Sequence, residues 1–309
     1  MSPSKANRAA ARVEAIIARN AAVAVIFRRG PSRRVRMLKW NLRNDRIEAG
    51  QWIEAGVPVA RCDVSPNGEL VACFFASYRR RPGTWTAISR PPFFTALAVW
   101  PKGDSWGGGG LFVSDAHFLL EHDERVHYGI DQFRLMHDFT LPRRFRVQPY
   151  DGHAPVPECD IEQCRMVLSG WRFVQRAVWG RATSDLETGL PFERPEIMAR
   201  VLDDPKRPRF ALRRFVDGYA PNRQQGESRI IRAEIHDCET ATARDLGRVD
   251  WVDADHTGDV LWSARGKLFR LAGPARRGMQ LDAAPQLVAD LNDMTFAAIE
   301  APRRAMKWP

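Results

Sequence analysis

Short apolar runs, each closed by a tight Gly, Pro, Asn or Asp turn, succeed one another through most of this chain, and one turn design is used twice. Cys62-Asp63-Val64-Ser65-Pro66-Asn67-Gly68-Glu69-Leu70-Val71 lies over Val252-Asp253-Ala254-Asp255-His256-Thr257-Gly258-Asp259-Val260-Leu261. Each copy reads as an extended arm, an Asp, a four-residue gap, a Gly, an acid and a second strand. The chemistry behind the pattern is local. The Asp is expected to accept backbone N–H groups across the turn, and the Gly to supply the positive φ that closes it. A chain that repeats such hairpins builds a meander of antiparallel strands, and a βαβ series is excluded over these stretches.

The same reading extends on both sides of the first copy. Strands are expected at Ala22–Arg29, Arg34–Leu42, Arg46–Ile53, Val59–Asp63, Leu70–Phe75, Thr84–Ser89 and Thr95–Trp100. Leu70–Phe75 is apolar enough to be buried on both faces. Further strands follow at Leu111–Val113, Phe118–Leu120 and Trp171–Trp179, then Arg209–Val216 and Arg229–Ile235 as arms of a wide hairpin looped through Asp217–Glu227. Helical spacing of Val13, Ile16 and Ile17 predicts a helix over Ala6–Arg19. Others are expected within Glu121–Arg146, at Ile161–Leu168 and at Pro285–Ala298. The expected organisation is an N-terminal helix or extension (residues 1–20), one β domain (21–274) and a C-terminal helical tail (275–309).

Asp63-Val64-Ser65-Pro66-Asn67-Gly68-Glu69-Leu70 resembles the D-x-S-P-D-G turn between strands of WD40-like and TolB-like β-propeller blades, with Asn67 where Asp is commoner. Thr84–Pro92, the stretch Ala96–Phe112 with its Trp100-Pro101-Lys102-Gly103-Asp104-Ser105-Trp106-Gly107-Gly108-Gly109-Gly110 core, and Val25–Arg33 are similar to a bacterial protein family bearing this signature. The resemblance spans about Ala22 to Leu271 and implies an all-β, propeller-like fold and a bacterial source. It transfers no catalytic residue, and the Gly-His and Trp-Asp pairs of true WD40 repeats are missing. At roughly 40–50 residues per four-stranded blade the length permits about five to seven blades; a two-sheet β-sandwich is the alternative.

Composition narrows the function. The longest apolar stretches, Ala21–Phe27 and Phe93–Trp100, fall short of the roughly 20 residues that span a bilayer. Lys and Arg total 47 against 37 Asp and Glu, a net charge of +10, and only Lys5, Lys39, Lys102, Lys206, Lys267 and Lys307 are lysines. A positive field attracts polyanions, but the arginines are spread along the chain and interleaved with acids, and a GC-rich coding sequence produces the same skew. Five cysteines are an odd number for a disulfide scaffold. With no signal-peptide pattern at the start, the cytoplasm is the expected compartment.

Trp100, Lys102, Asp104 and Trp106, followed by four glycines, form the densest cluster of chemistry-bearing groups, with Trp85 and Arg90 upstream. Two indoles, a cation and a carboxylate beside pliable backbone suit a planar or anionic ligand; equally, the indoles can pack between sheets while the glycines make a bulge or close crossing. Lys102 precedes the glycines, so no phosphate loop is formed. His117, His122 and His127, five residues apart, share no helix or strand face, and Cys159 and Cys164 near His153 lack a second Cys pair. Asp253-Ala254-Asp255-His256-Thr257-Gly258 starts like a calcium loop but has Ala264 where a bidentate Glu belongs. Asp203 and Asp204 are adjacent and point apart, and no nucleophile elbow occurs. No catalytic residue, metal or cofactor is assigned. The sequence reads as a non-catalytic binding or interaction module, with Trp85, Arg90, Trp100, Lys102, Asp104 and Trp106 as its surface and another protein as its partner. A hydrolase assembled from separate loops, and a nucleic-acid or polyanion binder, are the alternatives.

Overall fold

A computed structural model describes residues 9–30, 34–77, 82–122, 126–127, 129–152, 156–180, 190–220 and 228–309. Antiparallel sheets dominate it. The chain divides into two compact units, Ala15–Phe27 with Val35–Arg172 and Ala297–Pro309 (the first unit), and Met1–Glu14 with Arg28–Arg34 and Phe173–Phe296 (the second).

The first sheet is ordered β1 (Arg12–Ile17), β2 (Val23–Arg29), β3 (Val35–Asn41), β4 (Arg46–Ile53), and the next β5 (Asp63–Val64), β6 (Val71–Ala76), β7 (Thr84–Ser89), β8 (Ala96–Pro101). β9 (Gly110–Ser114) and β10 (His117–Leu120) form a hairpin. β11 (Val126–His127) pairs with β12 (Ile130–Asp131), and β13 (Arg146–Pro149) runs parallel beside β10. Helix α1 (Ile161–Leu168) follows, started by a capping box in which Asp160 accepts the Gln163 N–H and Gln163 reaches back to the Asp160 N–H.

The second unit holds the longest strands. β14 (Trp171–Gln175) and β15 (Val178–Trp179) both pair with β16 (Leu190–Val201), which leads through β17 (Phe210–Ala220) and β18 (Ser228–Asp237) to β19 (Thr242–Val249). A last meander runs β20 (Trp251–Ala254), β21 (Val260–Ala264), β22 (Lys267–Leu271), β23 (Gln286–Asp290), with the single turn of α2 (Pro274–Arg277) before β23.

Alternation along β6 explains where the cores of the first unit lie. Val71, Cys73 and Phe75 enter one buried cluster with Val25, Phe27, Val35, Met37 and Ala87. Leu70 and Ala72 enter another, with Ile88, Trp100, Phe112 and Phe118. The β5–β8 sheet is therefore buried on both faces, as its apolar run requires.

The repeated turns are both present, with their roles redistributed. Gly68 and Gly258 sit at φ +74° and +78°, and their N–H groups donate to the Ser65 and Asp255 carbonyls at 2.8 and 3.1 Å. The side chain that closes the turn lies two residues beyond the Asp singled out in the sequence. Ser65 Oγ accepts the Leu70 N–H at 2.9 Å, and Asp255 Oδ1 accepts those of Thr257 and Asp259 at 2.8 and 3.1 Å. Asp63 and Asp253 tie their hairpins to neighbouring strands instead. Asp63 accepts the Phe112 N–H at 2.8 Å and pairs with Arg19, while Asp253 pairs with Arg200 of β16 at 2.7 Å. Burial pushes the Asp63 carboxyl up, against the opposing pull of Arg19, Arg165 and that N–H.

The expected N-terminal helix is strand β1 within the described residues. Ala11, Val13, Ala15 and Ile17 are all buried, so Val13 and Ile17 of the helical stripe also satisfy a period of two, while Ile16, off that period, enters the core with Val25 and Phe27; β-branched Val and Ile favour the strand. The C-terminal helical tail is corrected as well. Gln286–Asp290 is β23, paired with β22, and Asp290 then accepts the Asn292 N–H at 3.1 Å in a turn that stops regular structure; only a 3-10 turn at Arg303–Met306 is helical beyond it. No described residue of Glu121–Arg146 is helical: the Asp131 carboxylate caps a turn at the Phe133 N–H in place of the expected helix.

The acid after each turn glycine meets an arginine from further along the same meander: Glu69 pairs with Arg90, just past β7, and Asp259 with Arg270 of β22 at 2.6 Å. Arg270 also holds Asp255 at 2.8 Å, all three being buried. Arg270→Leu leaves two buried carboxylates without their counter-charge. It is expected to cost about 3–5 kcal/mol in urea unfolding, with partial recovery on adding Asp255→Asn. An unmoved midpoint would show that the cluster does not hold the hairpin.

Candidate functional site

The Trp100–Gly110 segment leaves β8, makes a loop and enters β9. Its base is a closed ring of three buried or half-buried side chains. Lys102 Nζ donates to Gln132 Oε1 at 2.8 Å, Gln132 Nε2 donates to Asp104 Oδ2 at 2.7 Å, and Asp104 Oδ1 meets Lys102 Nζ at 3.2 Å. Burial pushes the Asp104 carboxyl up, but the bonds from Gln132, the Trp106 N–H and Lys102 outweigh it and hold the group below the usual range. A buried ammonium needs such compensation, and Lys102 and Gln132 are almost completely enclosed.

A second set of bonds continues from that ring. His122 Nδ1 faces the Gln132 carbonyl at 2.6 Å, and its Nε2 faces Thr86 Oγ at 2.8 Å, while the Gly109 N–H donates to the same hydroxyl at 2.8 Å. A carbonyl only accepts, so the proton sits on Nδ1; Thr86 donates to Nε2 and receives from Gly109. Burial drives the His122 pKa down to about 4, the Gln132 bond opposing and nearby Lys102 reinforcing it, so the ring is neutral near pH 7. Thr84 Oγ donates to the Asp104 carbonyl, and the Thr84 carbonyl accepts the Lys102 N–H at 2.9 Å.

The glycines let the loop close on this base. Gly109 has φ +94°, and a Cβ there would lie 1.9 Å from the Arg61 carbonyl oxygen; at Gly108 it would lie 2.4 Å from the Phe74 ring. Arg61, stacked over Phe74, donates to the carbonyls of Ser105 and Gly107 at 2.8 and 2.6 Å. At the tip Trp106 is 85% exposed, its N–H bound by Asp104 Oδ1 at 2.8 Å. Beneath Gly107 lies Glu121, whose carboxyl burial raises to about 7 against the pull of Arg61 and Lys102. Tyr150 lies near this carboxyl, its hydroxyl 3.2 Å from Cys164 Sγ and pushed upward by burial.

Of the six surface residues expected from sequence, Lys102, Asp104 and Trp106 are brought together. Trp100 is 2% exposed, in the core 6.2 Å from Phe118, and Trp85 stacks on Phe75 at 5.2 Å on the other face of the sheet. Arg90 follows the far end of β7, about 20 Å along the strand from Thr84. There it lines a separate cleft of about 210 Å³ with Lys39, Glu48, Glu69 and Arg304. Thr84, Thr86, Gln132, Glu121 and Arg61 carry no signal in the sequence; His122 stands out there only for its spacing from other histidines.

Among the described residues no three His, Cys, Asp or Glu side chains gather to hold a metal. His117 bonds Gln148 at 2.6 Å, while the His127 side chain and His153 lie outside the described residues. Asp203 accepts the Arg209 N–H and Asp204 that of Lys206, so both act as turn caps.

No family model and no curated protein matches this chain. Among solved structures, the β-propeller domain of the trilobed protease from Pyrococcus furiosus superposes with a TM-score of 0.33 at 9% identity, over 92% of this chain and 100% of that one. The tricorn protease superposes with a TM-score of 0.22 at 10% identity, over 89% of this chain and 26% of that one. Likeness of this degree carries neither fold nor activity across.

Two titrations of the site oppose each other. Glu121 binds a proton more tightly folded than unfolded, so its contribution to stability falls as pH rises from about 4.5 to 7. His122 binds one less tightly, so its contribution rises from about pH 4 to 6.5. Glu121→Gln is therefore expected to steepen the gain in stability from pH 4.5 to 7, read as urea midpoints across that range. A pH profile parallel to wild type would place Glu121 in water.

Proposed function

We propose that this protein is a non-catalytic binding module of β-propeller type, and that residues 102–109 form its recognition loop. The exposure of Trp106 on a fixed base carries the reading. An indole on a floppy loop must be ordered on binding, at a cost in affinity. In this loop the Lys102–Gln132–Asp104 ring, Thr86 and Arg61 hold the backbone in advance. Rigid, exposed aromatics are the side chains that dominate protein interfaces. Four-stranded meanders in chain order, β1–β4, β5–β8 and β20–β23, support the propeller architecture. Buried thiols at Cys62, Cys73, Cys159 and Cys164 suit a reducing cytoplasm.

The test compares Trp106→Ala with wild type. The variant is expected to keep its melting temperature within about 1 °C, because the side chain packs little. Used as immobilised bait in lysate of the source organism, it is expected to lose a protein partner that wild type captures. Identical capture by both proteins would remove the loop as the recognition surface.

A hydrolase is the second reading, favoured by the Glu121 carboxyl near 7, where it can give and take a proton at neutral pH. It predicts turnover of activated esters or glycosides with an inflection near pH 7 that Glu121→Gln abolishes. Equal rates from the variant at every pH would dismiss it.

A further inference from the structure

The cleft of about 210 Å³ beside Arg90 belongs wholly to the first unit, and its open wall is charged. Lys39 of β3 and Glu48 of β4 stand opposite each other in the ladder. Glu69 follows the Gly68 turn, Arg90 follows β7, and Arg304 comes from the 3-10 turn at Arg303–Met306. Pro91, Pro92 and Ala305 also line the cleft but are themselves buried, so the groups open to a ligand are the charged ones.

The charges do not balance. Glu69 is held by Arg90, and Glu48 is held by Arg304 at 3.5 Å. Opposite charges facing each other across a ladder ordinarily pair, yet here the acid meets an arginine of the C-terminal segment. Lys39 is half-buried and, among the described residues, makes no ion pair or hydrogen bond. A partly desolvated ammonium with three donors calls for an acceptor. The arginines beside it also have donors to spare. Arg90 gives one nitrogen to Glu69, and its other reaches the Arg304 and Lys307 carbonyls only at 3.4 Å, the long limit of a hydrogen bond. Arg304 is 72% exposed and touches Glu48 alone among side chains.

We propose that this cleft binds a small monocarboxylic acid, whose carboxylate is received by Lys39 and then by the spare N–H groups of Arg90 and Arg304. Charge sets the class. Three cations against two carboxylates leave one positive charge, which one carboxylate neutralises. A phosphate dianion would add a second negative charge beside Glu48 and Glu69, with no cation left to meet it. Guanidinium also matches a planar carboxylate in a two-pronged geometry. Size sets the rest. The volume lies below the roughly 300 Å³ at which drug-sized pockets begin, so the acid has a body of only a few carbons. Once bound, it joins β3 to the C-terminal segment through Lys39 and Arg304.

With six lysines in the chain, site-resolved acylation tests this directly. Wild type is treated with an amine-reactive ester, with and without sodium propionate at constant ionic strength, and each lysine is followed by mass spectrometry. At about ten times its Kd, propionate is expected to slow acylation of Lys39 about tenfold and leave Lys206 and Lys267 unchanged. Propionamide, the same shape without charge, should protect nothing. In calorimetric titration Lys39→Met is expected to raise the propionate Kd at least about tenfold, and Lys39→Arg to restore most of the affinity. Trp106→Ala should titrate as wild type does, so failure of the recognition loop and failure of the cleft are told apart. Acylation of Lys39 that ignores propionate overturns the proposal, as does equal protection by propionamide or equal slowing of Lys206 and Lys267. Protection by inorganic phosphate where propionate gives none overturns it too, as does an unchanged Kd in Lys39→Met.

Discussion

Buried arginine bonded to backbone carbonyls and carboxylates is the interaction on which these short meanders depend. Arg28 is almost completely enclosed, and its guanidinium donates to the carbonyls of Leu291 and Asn292 at 3.0 and 2.7 Å, more than 260 residues away in sequence. Arg165 of α1 donates to the carbonyls of Val59 and Cys62, and Arg270 holds Asp255 and Asp259. A guanidinium keeps its charge at any relevant pH and carries five donors in a fixed fork. It can therefore satisfy the outward-facing carbonyls of several turns at once, where a two-residue strand such as β5 offers few ladder bonds of its own. Part of the net positive charge is thus internal structure, and only the remainder faces solvent.

Local rules are more readable in this sequence than long-range contacts. Gly68 and Gly258 announce their turns because positive φ is a property of the residue itself, and Asp160 with Gln163 announces α1 for a similar reason. Asp63 and Asp253 mislead, because their partners, Phe112, Arg19 and Arg200, lie tens of residues away. In β1 Val13 and Ile17 fit two periods at once, and neighbouring strands decide between them. The candidate site shows the same division. Asp104 and Trp106 are visible as a cluster, whereas Gln132, His122 and Thr86 reach it from three other segments, with nothing in their own neighbourhoods to mark them.

The Trp106 loop presents one exposed indole on a backbone that is held in advance. At the Trp106 loop the aromatic side chain is isolated and the backbone beneath it is immobilised by polar bonds. The loop does not depend on a flexible backbone finding its place on contact. Trp100 and Trp85 make the contrast plain: one strand apart, they are spent on opposite faces of a single sheet, and the site is left with the indole that has no core to enter.

The Gly108–Gly109 crossing has a consequence for how such a protein changes over evolutionary time. Because a Cβ at Gly109 would strike the Arg61 carbonyl, the path of the loop is written in backbone that tolerates almost no substitution. The tip is under no such constraint, since Ser105 lends only its carbonyl and Trp106 only its N–H. Residues 105 and 106 can therefore drift freely in chemistry while the bracket that presents them stays the same. Descendants of this chain could exchange one partner for another through one or two codons, without reopening the question of how the loop folds.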